Sequence, residues 1–243
     1  MKLAMLKRVQ AAREDGQCVE IVTDLSSHDQ YLVDRQGVVL AGAKPSKEFE
    51  RQLAKISRES AAHDLSKLYV LEGRRVFVQV FGPPYRLIVV GAVHISQHLL
   101  PMARMVGFEV HLVEPRTAFG SPERFPGMNI NTSWPDQALE EIGLTARTAV
   151  VTLSHDPKID EPALTAALGG GVFYIGALGS RKTHAKRLRR LAGLGVPENE
   201  FEKIHSPVGL PLGGRSPAEI AVAILAEIIS HRYSADNVER LPA

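Results

Sequence analysis

Two hydrophobic rhythms run along this chain, and the change between them falls near residue 83. Before it, apolar positions come in short alternating runs. Leu3, Leu6 and Val9 recur at helical spacing ahead of Gly16, which predicts an opening helix. Residues 18–23 alternate as a strand does. Residues 30–33 and 38–40 flank Arg35-Gln36-Gly37, the pattern of a hairpin with Gly37 in its turn. Phe49, Leu53 and Ile56 place a helix over 45–62, and 75–81 reads as a strand. This predicts a small α+β domain over residues 1–83, followed by the stiff linker Gly82-Pro83-Pro84.

From Tyr85 the apolar runs become continuous. Residues 87–90, 110–113, 148–153 and 172–175 suit strands buried on both faces. Helical patterns lie between and after them, at 94–106, 136–142, 161–168, 181–191 and 217–230. Strands alternating with helices over short links predict an α/β domain over residues 84–243. Its sheet is expected to be Rossmann-like, parallel and doubly wound, with right-handed crossovers.

Composition narrows this picture. The chain has 243 residues, 44% of them hydrophobic, 23% charged, with a net charge of +2. That is ordinary for a globular protein large enough to form a core without staples. The charge predicts no nucleic-acid partner. The apolar runs are too short to span a bilayer, and residues 1–8 lack a signal-peptide core, so no membrane association is expected. Cys18 is the single cysteine, which excludes an intrachain disulfide and a cysteine-based metal cluster and suits a reduced cytoplasm.

Ligands of open α/β sheets bind beyond the carboxyl ends of the strands. Four segments there are polar or glycine-rich. The first runs from Gly91 to Ser96. A dinucleotide fingerprint needs glycine at 91, 93 and 96; the chain has Gly91, Val93 and Ser96. Val93 narrows the backbone approach that a pyrophosphate needs, while the helix-start amides beside His94 still attract an anion. The alternative is a tight strand–helix turn. The second segment is Glu114-Pro115-Arg116. Glu114 stands where such folds grip a ribose hydroxyl, and Arg116 is placed to meet a phosphate; the alternative is a solvated charge pair.

The third segment is Ser154-His155-Asp156, with Asp160 beyond. Neighbours on one loop do not make a Ser-His-Asp triad, which needs the serine held against the imidazole by the fold. His155 and Asp156 are candidates for ligand hydrogen bonds, acid–base work or a metal. Alternatively, Asp156-Pro157 opens a turn and Asp160 caps the next helix. The fourth, Gly176 to Thr183, misses the phosphate-binding P-loop by one residue, because Arg181 replaces a required glycine. Gly176, Gly179, Ser180 and Arg181 still suit a phosphate. Lys186, Arg187, Arg189 and Arg190 read as a solvated helix face, or as a contact for an acidic partner. Residues 204–217, rich in Gly and Pro, form a long loop suited to a lid, and Ser216-Pro217-Ala218-Glu219 opens the last helix as a capping box.

Taken in order, these segments resemble the C-terminal domain of the XdhC/CoxI family. The resemblance rests on residues 91–94, Glu123-Arg124-Phe125-Pro126, residues 148–158, 174–181 and 204–209, and residues 215–221. It implies a Rossmann domain behind a smaller N-terminal domain, in an accessory protein that binds molybdenum cofactor (molybdopterin). Such proteins deliver the cofactor to the apoenzyme of a molybdenum hydroxylase, of the xanthine dehydrogenase or carbon monoxide dehydrogenase type. It also suggests a homodimer. Two N-terminal segments depart from the family: residues 24–29 replace Gly-Ser-Ser-Pro-Arg, and Leu40-Ala41-Gly42-Ala43 replaces Ser-Gly-Gly-Cys, without the cysteine. The competing reading is an NAD(P)-dependent oxidoreductase resting on Glu114 and Arg116.

Overall fold

Two helices enclose one antiparallel sheet in the first part of the chain. The computed structural model describes residues 3–63 and 66–234, and the chain divides into two compact units between Pro83 and Pro84. In the first unit the elements are α1 (Leu3–Glu14), β1 (Val19–Asp24), β2 (Gln30–Asp34), β3 (Val39–Gly42), α2 (Lys47–His63), β4 (Lys67–Leu71) and β5 (Arg74–Phe81). The strands lie in the order β3-β2-β1-β5-β4. Alternation along β1 splits the core. Val19 and Ile21 join Met5, Val9 and Leu32 of the α1 layer, while Val22 joins Phe49, Leu53, Val76 and Val78 of the α2 layer.

Two expectations need correction here. The buried stripe of α1 is Met5 and Val9 with Ala12 beside them, and Leu3 is 69% exposed. Positions 5, 9 and 12 keep the helical spacing but turn the face by part of a turn. Strand β4 has no counterpart in the apolar pattern, because it is an edge strand that leaves Leu68 and Val70 exposed. Its signal is the two-residue turn Glu72-Gly73, both at positive φ (47° and 73°), which matches the right-handed twist of a hairpin.

The second unit contains β6 (Arg86–Val90), α3 (His94–Met105), β7 (Glu109–Val113), β8 (Ile130–Asn131), α4 (Pro135–Ile142), β9 (Thr148–Thr152), α5 (Pro157–Gly169), β10 (Tyr174–Ala177), α6 (Arg181–Gly193), β11 (Ile204–His205) and α7 (Pro217–Ser234). The sheet order is β11-β10-β9-β6-β7-β8 and every pairing is parallel. This is the α/β, Rossmann-like architecture that the alternating pattern predicts. Leu87, Val89 and Val151 pack on one face against α3 and α7, through Leu99, Ala103, Ile224 and Ile228. Ile88, Val90 and Val150 pack on the other against α4, α5 and α6, through Leu139, Leu164 and Leu191. Both faces are covered, which is why these runs are unbroken by polar residues.

Helix α5 begins at Pro157, ahead of the expected 161, because Asp156 caps it and accepts the Lys158 N–H at 3.0 Å. The capping box at the start of α7 forms as expected: Glu219 accepts the Ser216 N–H at 2.9 Å, and Ser216 Oγ accepts the Glu219 N–H at 3.3 Å. Among the described residues, no helix is long and apolar enough to cross a membrane.

Candidate functional site

The strand order reverses at β6, with β7 and β8 added on one side and β9 to β11 on the other, so the crevice of this fold opens where β6 and β9 end. Gly91 ends β6 with φ +114°, and a Cβ there would lie 2.8 Å from the Ser154 nitrogen. The glycine is required because two backbones meet at this point. Its N–H donates to Val113 O at 2.9 Å. Ser96 is fully buried. Its hydroxyl donates to Gly91 O and accepts the Val93 N–H at 3.3 Å, which ties the turn to the first coil of α3. Val93 packs against the core. Ser96 is thus a structural clasp, and His94 is the exposed side chain of this turn.

Glu114 ends β7 with its side chain fully buried. One carboxylate oxygen accepts the Ala92 N–H at 2.8 Å, and both oxygens are bridged by Arg116, at 2.7 and 2.8 Å. Arg116 N–H adds a further bond at 3.0 Å. Burial alone would raise the carboxyl, but Arg116 and the two backbone donors more than offset it and hold the group below the ordinary carboxylate value. A ribose grip by Glu114 or a phosphate contact by Arg116, the expected roles, would have to displace this pairing, which joins each group to the other and Glu114 to the glycine turn. Glu114→Gln is expected to destabilise the unit by about 2 kcal/mol at neutral pH. Because the folded pKa lies below the reference of 4.5, that contribution is complete above 4.5 and is lost as pH falls through the folded value. Denaturant melts of the two proteins should differ at neutral pH and converge in strong acid; equal stability at neutral pH would refute the role.

The end of β9 is more elaborate. Ser154 Oγ donates to Asp160 Oδ1 at 2.7 Å and accepts the Asp156 N–H at 3.0 Å. Between them His155 is held at φ +62° and is exposed. A non-glycine residue in that region costs about 1–2 kcal/mol, a strain that collects at functional sites. Asp160, expected as a cap, lies instead in the first turn of α5 and is 2% exposed. Arg187 approaches it to 4.0 Å, donates to Leu178 O at 2.7 Å and to Ser206 Oγ at 3.3 Å. Arg187 is 3% exposed, which corrects its reading as part of a solvated face; Arg190 pairs with Glu161 but stays exposed with Lys186 and Arg189.

At the end of β10, Gly176 is buried, and a Cβ there would meet Val208 at 2.6 Å and Tyr174 at 2.9 Å. It is a packing glycine. Gly179 has φ +145°, with Thr183 and Arg187 close beneath. Ser180 caps α6 by accepting the Thr183 N–H at 3.2 Å. Arg181 follows, exposed in the first turn. It lines a cavity of about 450 Å³, bounded by the 207–214 loop and by Glu219, Ala223 and Glu227 of α7. The loop expected as a lid begins at the sheet-edge strand β11 and is pinned to α7 through Leu210 N–H to Ala223 O at 3.1 Å.

The predicted residues thus separate into two groups. Gly91, Ser96, Glu114, Arg116, Ser154 and Gly176 build the floor. His94, His155 and Arg181 rise from the ends of adjacent strands, are exposed, and have no hydrogen bond or ion pair among the described residues. Sequence reasoning missed the Asp160–Arg187 link and Glu227. A basic residue at the spacing that faces Leu191 in α6 was the available signal for the first.

The N-terminal unit holds its own cavity, about 580 Å³, lined by Arg8, His28, Asp29, Gln30, Gly42 and Ala43 among others. Segments 24–29 and 40–43 therefore do converge: a Cβ on Gly42 would lie 2.0 Å from Gln30 O. No thiol lines this cavity, so the residues present do not offer a thiolate ligand for molybdenum there.

Residues 87–228 match the family model of the XdhC Rossmann domain. A Bacillus subtilis protein named as a probable xanthine dehydrogenase subunit is 34% identical over 158 residues, 65% of this chain and 46% of that protein. The Escherichia coli molybdenum cofactor insertion chaperone PaoD is 32% identical over 162 residues, 67% of this chain and 45% of that one. The chain spans less than half the length of these relatives. A crystal structure described as a xanthine dehydrogenase from Bacillus halodurans superposes on 97% of this chain and 66% of its own with a TM-score of 0.75 at 24% identity, a likeness of fold. With its parallel sheet, its glycine turn and its ordered strand-end segments, the chain belongs to the XdhC Rossmann domain family.

Proposed function

We propose that this chain is a maturation factor that holds molybdenum cofactor at the carboxyl ends of β6, β9 and β10 and passes it to a molybdenum hydroxylase apoenzyme. The observation that carries this reading is the contrast between two sets of polar side chains. The anchors of a dinucleotide site, Glu114 and Arg116, neutralise each other, while the cation Arg181 and the hydrogen-bonding side chains of His94 and His155 stand exposed and unpaired beyond the ends of β10, β6 and β9. An anionic, bulky ligand suits that surface: Arg181 and the first turns of α3 and α6 offer positive charge and N–H donors to a phosphate. His155 faces outward to donate to the pterin. A maturation role is supported by the names of the relatives above. NAD(P), the rival ligand, would find its ribose anchor already occupied.

The test is anaerobic equilibrium binding of molybdenum cofactor released from a donor enzyme, with NAD+ and NADP+ as controls. Wild type is expected to bind the cofactor and neither dinucleotide. Arg181→Ala and His155→Ala should each weaken binding by roughly 10–100-fold, the value of one charge-assisted hydrogen bond. Absence of cofactor binding by the wild type, or undiminished affinity in both variants, overturns the reading.

A further inference from the structure

A second cluster shares only Glu227 with the lining of the Arg181 cavity. His205 ends β11, and Glu227 and His231 sit one turn apart on the same face of α7. All three are half-buried, and one ligating atom from each lies within 4.8 Å of the others. The two imidazoles meet with ring centroids 4.2 Å apart. Tyr174 stacks on the His205 ring at 5.0 Å and 5°. Neither imidazole makes a hydrogen bond to any described residue, so their nitrogens are not committed to another group. Glu227 differs: its Oε2 accepts the Tyr174 hydroxyl and the Gly209 N–H, the latter at 2.7 Å, and Oε1 is left over.

We propose that His205, Glu227 and His231 bind a divalent cation of the zinc type. Two imidazole nitrogens and one carboxylate oxygen make the three-ligand set that leaves a fourth tetrahedral position open. The outer contacts are also present. Tyr174 O–H and Gly209 N–H orient the carboxylate from outside, as second partners of metal ligands do, and the Tyr174 ring fixes the plane of His205. Ligand atoms about 2.0–2.1 Å from zinc stand roughly 3.4 Å apart, so atoms now within 4.8 Å must close by up to roughly 1.4 Å, within reach of side-chain torsions. Glu227 also lines the 450 Å³ cavity, so a small molecule held there would lie beside the open position. The proposal is independent of the cofactor reading, because it concerns the metal alone.

The experiment titrates the metal-stripped full chain with Zn2+ by calorimetry and with Co2+ by visible absorption. One equivalent is expected to bind, with Co2+ bands of a low-symmetry site. His205→Ala and His231→Gln should each weaken uptake at least ~100-fold, and Tyr174→Phe, which keeps the ring but removes the outer donor, about tenfold. His98→Ala, at an exposed position outside the cluster, should change nothing. Circular dichroism verifies folding; if His205→Ala does not fold, His231→Gln on the helix carries the same test. No stoichiometric uptake by the wild type, or uptake undiminished in the folded variants, overturns the site.

Discussion

Replacing Arg187 with alanine is expected to destabilise the C-terminal unit by about 3–5 kcal/mol, the loss typical of breaking a buried charge pair from one side. The guanidinium links three neighbouring strand ends. It donates to Leu178 beyond β10 and to Ser206 beyond β11, and its 4.0 Å approach to Asp160 reaches the Ser154 end of β9. Removing it strands a carboxylate that is 2% exposed. Burial already pushes the Asp160 carboxyl up, against the Ser154 hydrogen bond and the Arg187 charge, and without Arg187 it rises further. A group whose folded pKa is raised favours the folded state below its unfolded pKa, and that advantage is lost as pH rises through the folded value. The deficit of Arg187→Ala should therefore shrink in mild acid. Asp160→Asn placed in the Arg187→Ala background should recover part of it at neutral pH. Urea melts at the two pH values provide the measurement, and a deficit below about 1 kcal/mol would mean the pair is not a linchpin.

Gly91→Ala is the second large effect, about 3 kcal/mol, from the sum of a left-handed backbone and a Cβ forced into the neighbouring strand. The obstacle is backbone, Ser154 N at 2.8 Å and Ser154 Cα at 3.0 Å, so no side chain can swing away. Gly107 supplies the control. It too has positive φ, +88°, but nothing lies within 4 Å of where its Cβ would stand, so Gly107→Ala carries only the dihedral cost of about 1 kcal/mol. If the two alanine variants melt alike, the close approach of β6 and β9 is not what requires the glycine. A variant that folds should also show weaker cofactor uptake, since separating these strand ends moves His94 and His155 apart.

Much of the second unit is legible along the chain. A strand buried on both faces must be apolar at every position, and helices that cover it must repeat every three to four residues, so order and type follow from Leu87 to Ile228. The polar strand ends are legible as well, because the polarity begins directly where each unbroken apolar run stops. Partnership is not. Position alone suggests two ligand contacts in Glu114 and Arg116, yet they close on each other, because two positions separated by one residue at a strand end can fold back over the same turn. Arg187 sits among charged neighbours, Lys186 and Arg189, which suggests a solvated face; helical spacing instead puts it on the side of Leu191, towards the sheet.

The sequence by itself determined the α/β architecture, the glycine turn that opens its crevice and the family these features share. Those are properties of periodicity and of single residues. Only the tertiary structure decided which polar groups are spent and which are free. Hydrogen bonds are short-ranged and directional, so the fate of Glu114, Asp160 or Glu227 depends on what lies within about 3 Å. Their partners come from up to 53 residues away along the chain. The same geometry left His94, His155 and Arg181 exposed and without hydrogen bonds or ion pairs to described residues, and it brought His205 to Glu227 and His231, a grouping that no spacing along the chain encodes.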